Sequence, residues 1–100
     1  MDMSKHDVDD SFWDRADRFI NQANDFCDHA PRDKVSASLL YAAARFNAFV
    51  VSATAETMEE LQQDKDAALE YFVGQYRKML EENLDDHIAN FNEYSEDGNS

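Results

Sequence analysis

Glycine, proline and cysteine are scarce in this sequence of 100 residues, which contains two Gly, one Pro and one Cys. An all-β fold joins many short strands through turns rich in Gly and Pro, so this scarcity argues against a β-sandwich or barrel. The lone Cys27 cannot form an internal disulfide, and an unpaired thiol is typical of a reducing compartment. The sequence therefore predicts a few long helices in a cytoplasmic protein.

Basic residues are also scarce, because nine Lys and Arg stand against 22 Asp and Glu, for a formal net charge of −13. Proteins bind nucleic acid by neutralising phosphates with Lys and Arg, and they bind anionic membrane surfaces in the same way. The charge balance therefore excludes both kinds of partner. It is compatible with a basic protein partner, with a cation, or simply with high solubility.

The least polar stretch is residues 35–55, in which Arg45 is the single charged residue and neither Gly nor Pro occurs. Its apolar residues form two adjacent stripes at helical spacing, which predicts a central, mostly buried helix. Asp33 or Ser36 is its expected N-cap. The stretch is long enough to cross a bilayer, but Arg45 at its midpoint would cost roughly 2.5–3.5 kcal/mol there. A helix of a soluble protein is the better interpretation.

Two further helices flank this stretch. Apolar residues spaced by three and four from Phe12 to Ala30 predict a first helix, capped by Asp10 or Ser11 and ended by Pro31.

After the central helix, the residues from Thr57 to Glu60 form a capping box that predicts the start of a third helix. Helical periodicity then continues to Phe91, over about 50 Å. A helix of that length would extend beyond its neighbours. We therefore expect a break near residues 63–66, a kink near residues 83–86, or a partner that covers the surplus.

These elements predict an all-α fold, a small antiparallel bundle of three long helices that occupies residues 10–92. Residues 1–9 are expected to be a mobile tail, and residues 93–100 to be frayed. A helix that is apolar nearly all round needs more than two neighbours. We therefore expect a homodimer that pairs the central helices or the third helices.

Three segments resemble a small proteobacterial family of uncharacterised helical proteins. They are FWDRADRFI at residues 12–20, the stretch from VSA at 35–37 to LYAAARFNAF at 40–49, and YFVGQYRKMLEENLDD at 71–86. The resemblance implies a bacterial cytosolic protein with one compact domain. It implies no activity, cofactor or site, because the family is a domain of unknown function.

Paired acids are the sharpest chemical pattern. Glu56 and Glu59, followed by Glu82 and Asp85, are similar to the acid pairs with which all-α nucleotide pyrophosphohydrolases hold Mg²⁺ against a triphosphate. The pattern has low specificity, and apart from Arg77 and Lys78 the sequence offers no cluster of Lys or Arg to bind phosphates. The same spacing recurs at Asp7/Asp10, Asp14/Asp17, Asp25/Asp28 and Glu93/Glu96.

Arg45 is unusual within an apolar helix, because an unpaired buried charge is very costly. Tyr41, Arg45 and Ser52 share one helix face. Arg45 could pair with an acid of the first helix, for which the candidates are Asp14, Asp17 and Asp25. Alternatively, this face could be an interface with another protein, since Arg and Tyr are enriched at such interfaces.

The sequence by itself predicts no specific function. The preferred hypothesis is a non-enzymatic, acidic helical module for protein interaction or structure, without a cofactor. The alternative is an Mg²⁺-dependent hydrolase of nucleoside triphosphates that uses Glu56, Glu59, Glu82 and Asp85. The two hypotheses differ in one observable feature, which is whether these four carboxylates come together around a metal position.

Overall fold

A computed structural model describes residues 9–92 of the chain. Three helices make up its regular structure: α1 (Phe12–Phe26), α2 (Arg32–Thr54) and α3 (Met58–Ala89). No strand occurs among these residues, so the predicted all-α class with three long helices is confirmed. The predictions for residues 1–8 and 93–100 lie outside the described residues.

The first helix begins at Phe12, as predicted, but the predicted cap is wrong. Ser11 occupies the N-cap position with φ −97° and ψ 0°, outside the extended region from which a cap side chain bonds the first turn, and it makes no cap bond. Asp9 organises this end instead. Its Oδ1 accepts a hydrogen bond from the Ser11 N–H at 3.1 Å and pairs with the Arg15 guanidinium at 3.0 Å.

The turn between α1 and α2 begins earlier than predicted. The first helix ends at Phe26 rather than near Ala30, and the Phe26 carbonyl accepts hydrogen bonds from the N–H groups of His29 and Ala30, both at 3.0 Å. Pro31 then takes the N-cap position of α2. A proline fits there because it has no N–H that would lack a partner.

The predicted cap of α2 is therefore wrong. Asp33 lies in the first turn of the helix, not before it, and Ser36 lies inside the helix. The carbonyl of Pro31 accepts hydrogen bonds from the N–H groups of Lys34 and Val35 and completes the first turn without a side-chain cap.

The junction between α2 and α3 agrees closely with the sequence. The second helix ends at Thr54, within the region of predicted weakening, and α3 begins at Met58. Thr57 Oγ1 accepts a hydrogen bond from the Glu60 N–H at 3.1 Å, and Glu60 Oε2 accepts one from the Glu56 N–H at 2.8 Å. The predicted capping box is confirmed, although the carboxylate reaches one residue further back than Thr57.

The third helix is continuous over 32 residues, which corresponds to about 48 Å. Of the three alternatives for accommodating this length, the break near residues 63–66 is wrong, because this segment is regular helix. Gln63 and Lys65 are good helix formers, two alanines follow at positions 67 and 68, and α3 contains no proline. Asn83 also lies within the helix, where its Nδ2 donates a hydrogen bond to the Met79 carbonyl one turn earlier, at 2.8 Å.

The chain divides into two compact units, Met1–Lys65 and Asp66–Ser100. In the first unit, α1 and α2 contact each other as an αα-hairpin. Val35, at 8% exposure, is the one buried residue within the described range. The prediction that α2 is mostly buried by its own chain is therefore wrong, because α1 covers only part of one face of a helix that is apolar on several.

Candidate functional site

Exposed apolar side chains dominate the surface of residues 9–92. Soluble proteins bury most of their large apolar side chains, and a contiguous exposed apolar patch commonly marks an interaction surface. Here such side chains are exposed on all three helices, so the helix faces are the main candidate for a functional surface. The members are Trp13, Phe19, Ile20, Phe26, Leu39, Leu40, Tyr41, Phe46, Phe49, Met58, Leu69, Val73, Tyr76, Met79, Leu80, Leu84, Ile88 and Phe91.

A groove runs between α1 and α2 and has a volume of about 420 Å³. We call it the hairpin groove. Its walls are almost entirely apolar, and the two phenylalanines on the α1 side, Phe19 and Phe26, are 66% and 55% exposed. Lys34 supplies a positive charge on the α2 side. The lining residues are Phe19, Gln22, Ala23, Phe26, Ala30, Lys34, Val35, Ser38, Leu39 and Ala42.

The predicted interface residues lie on α2 and are exposed. Tyr41, Arg45 and Ser52 fall on one side of the helix at 100° per residue, and Tyr41 is 65% exposed. Arg45 forms no ion pair with any residue of the range 9–92, so the proposed pairing with Asp14, Asp17 or Asp25 does not occur there. Because the guanidinium is in contact with water, its charge needs no partner within the chain.

The third helix presents an apolar row that we call the α3 stripe. It comprises Leu69, Val73, Tyr76, Leu80 and Leu84, which recur every three or four residues and so share one face. All five side chains are exposed, by 42–64%. The stripe is therefore an exposed apolar face against which another helix can pack.

The predicted metal site is not formed by the chain. No three His, Cys, Asp or Glu side chains come together as metal ligands anywhere in the described residues. Glu59 lies in the first turn of α3, and Glu82 lies on the same helix. Glu56 and Asp85 complete the predicted set and join no such group. Within residues 9–92, no group of side chains therefore has the geometry that the hydrolase hypothesis requires.

By length and composition, α2 could span a membrane; mostly buried core helices of soluble proteins pass the same test, but only 6% of this segment is buried. Its sequence nevertheless carries Arg45 in the middle, as well as Asn47 and Ser52. Polar and charged residues at this depth are costly in lipid.

The comparison with known proteins decides the family. The model of the family described as "Protein of unknown function (DUF3144)" matches residues 12–88, a range that contains α1, α2 and nearly all of α3. The chain belongs to the DUF3144 family. The predicted resemblance to an uncharacterised family is confirmed, and membership supplies no activity.

A similar protein with the same fold has been solved by NMR. The NMR structure of the protein NB7890A from Shewanella sp., a proteobacterium, is 34% identical, with a TM-score of 0.75. The match covers 88% of this chain and 94% of that chain. No curated protein matches the chain.

Sequence reasoning missed the hairpin groove. Periodicity placed Phe19, Phe26 and Leu39 on apolar faces, but it could not show that these faces remain accessible. The available signal was the breadth of the apolar surface of α2, which exceeds what one neighbouring helix can cover.

Proposed function

We propose that this DUF3144 chain is a non-enzymatic helical module that acts by binding another protein through its exposed apolar helix faces. The observation that carries this proposal is the exposure of most large apolar side chains of residues 9–92, among which Val35 alone is buried. Covering such side chains releases about 25 cal/mol for each Å² removed from water. A protein partner that covers several of them therefore binds with substantial favourable free energy.

The α2 face with Tyr41, Arg45 and Ser52 supports the same proposal. Arginine and tyrosine combine apolar contact area with hydrogen-bonding groups, and both are enriched among the residues that dominate binding energies. Arg45 has no ion-pair partner among residues 9–92, which leaves its guanidinium available to a carboxylate of the partner.

The charge of the chain supports a protein partner over nucleic acid or an anionic membrane surface. With 22 acidic against nine basic residues, the chain is repelled by phosphate backbones and lipid headgroups. The free thiol of Cys27 and the charge of Arg45 within α2 support a cytoplasmic location.

The interface is tested by binding with matched arginine variants. A tagged wild-type chain is first used to capture a binding partner from bacterial lysate. The purified partner is then titrated against the wild-type chain, the Arg45→Ala variant and the Arg18→Ala control. Replacing Arg45 is expected to raise Kd about tenfold, or roughly 1.4 kcal/mol, whereas the control on α1 changes it little. Equal loss in both variants, or no retained protein and no self-association, would contradict the proposal.

The non-enzymatic assignment is tested separately by incubating the purified chain with nucleoside triphosphates and Mg²⁺. We expect no pyrophosphate release above the protein-free control, since no three His, Cys, Asp or Glu side chains gather as metal ligands within residues 9–92. Mg²⁺-dependent hydrolysis that disappears in Glu82→Gln but persists in Glu70→Gln would establish the hydrolase hypothesis instead.

A further inference from the structure

We infer that the hairpin groove receives the α3 stripe of a second copy of this chain, reciprocally, in a two-fold symmetric dimer. This inference rests on the proposed function and identifies one partner that the apolar faces bind. A two-fold arrangement closes because the same pair of surfaces meets twice.

The groove accommodates about half of the stripe. Its lining runs from Phe19 to Phe26 on α1 and from Lys34 to Ala42 on α2, which at about 1.5 Å per residue corresponds to roughly 10–12 Å. The α3 stripe spans roughly 22 Å, so the part from Leu69 to Tyr76, about 10 Å long, fits within the groove. An apolar helix face with anchors every three or four residues, seated in an apolar groove between two helices, is a recurring mode of recognition.

The charges favour α3 of the second copy over other pairings. The second helix carries three basic residues, Arg32, Lys34 and Arg45, against the single acid Asp33. The third helix carries nine acidic residues against three basic ones. Contact between α2 and the partner's α3 therefore joins opposite charges, whereas contact between two α3 helices would bring like charges together.

The charge complementarity between the groove and the stripe can be assigned to Lys34 and to acidic residues near Leu69. Lys34 lines the hairpin groove, and Asp66 and Glu70 lie within one helical turn of Leu69, at one end of the stripe. One chain thus carries an apolar groove with a basic edge and an apolar helix face with acidic neighbours. A second copy is the partner that satisfies both surfaces at once.

The first test is the mass in solution at micromolar concentration, measured by light scattering after size-exclusion chromatography. We expect twice the chain mass of 11.5 kDa. Lys34→Glu is expected to raise the dimer dissociation constant about tenfold. Lys78→Glu makes the same charge change on α3 outside the stripe and is expected to have little effect. A mass of 11.5 kDa for the wild type would overturn the inference.

The second test identifies the contact itself. A nitroxide is attached at Glu70→Cys in a Cys27→Ser background, and this chain is mixed with an isotope-labelled chain that has no nitroxide. Intermolecular broadening of the amide signals of Val35, Leu39 and Ala42 supports the inference.

Two outcomes of this mixing experiment overturn the inference. One is broadening that occurs only when nitroxide and isotope are on the same chain, which would mean that the groove is filled by the chain's own α3. The other is a dimer without broadening of the groove signals, which would mean that the copies meet elsewhere. In both cases capture of another protein through α2 would still stand, so the two proposals fail separately.

Discussion

At the scale of single residues, hydrogen bonds near the helix ends explain where the helices begin. Thr57 and Glu60 satisfy backbone N–H groups at the start of α3, which would otherwise lack partners in the protein. Asp9 performs a similar role before α1 with its carboxylate. The cap at α3 could be predicted from the sequence, because a capping box is a local pattern with a fixed spacing. The role of Asp9 could not, because it depends on the backbone conformation that Ser11 adopts.

Thr57→Ala is expected to lower the free energy of unfolding by about 1 kcal/mol, because the Glu60 N–H loses its acceptor. Urea denaturation followed by circular dichroism measures the change. The control is Thr54→Ala, which removes the hydrogen bond from Oγ1 to the Val51 carbonyl at the end of α2, where no N–H is left unsatisfied. An equal loss in both variants would show that the cap has no specific role.

At the scale of elements, α3 is notable for remaining helical over 32 residues despite containing Gly74. Glycine in a helix costs about 0.5–1 kcal/mol relative to alanine, because the unfolded chain has more conformational freedom to lose. A Cβ built at Gly74 meets no atom within 4 Å, so nothing in the described structure requires a glycine there. The residue also lies on the side of the helix away from the α3 stripe.

Gly74→Ala is therefore expected to raise the free energy of unfolding by about 0.5–1 kcal/mol, measured by thermal and urea denaturation. The reverse change Ala67→Gly, on the same side of α3, is expected to lower it by a similar amount. A destabilising Gly74→Ala variant would indicate that another molecule approaches this side closely, and it would argue against the assignment of the stripe as the contact face.

At the scale of the whole molecule, high charge and exposed apolar faces act in opposite directions. A net charge of −13 favours solubility and disfavours close approach of two copies at long range. The apolar faces favour association at short range, where area is removed from water. If two copies associate, we expect them to meet at faces where opposite charges also come together, such as those of α2 and α3.

If a second copy covers these faces, thermal stability depends on protein concentration, because association stabilises the folded state by mass action. The Tm is expected to rise by several degrees when the concentration increases a hundredfold from the low micromolar range, whereas Tm for Lys34→Glu is expected to be lower at each concentration. Scanning fluorimetry at several concentrations measures this. A wild-type Tm independent of concentration would contradict dimerisation.

The sequence by itself determined the helical class, the number of helices, the junction at Thr57 and the family. These features follow from local patterns, since the apolar spacing, the capping box and the scarcity of Gly and Pro act within a few residues of chain. The sequence also placed Tyr41, Arg45 and Ser52 together, because helical periodicity fixes which residues share a face.

Only the tertiary structure decided which apolar faces are covered. Periodicity gives the width of an apolar face but not the identity of its neighbour, so the breadth of α2 suggested burial within the chain, whereas the structure leaves its faces open. The structure also revealed the hairpin groove, since a groove depends on how closely α1 and α2 approach, which no local pattern specifies.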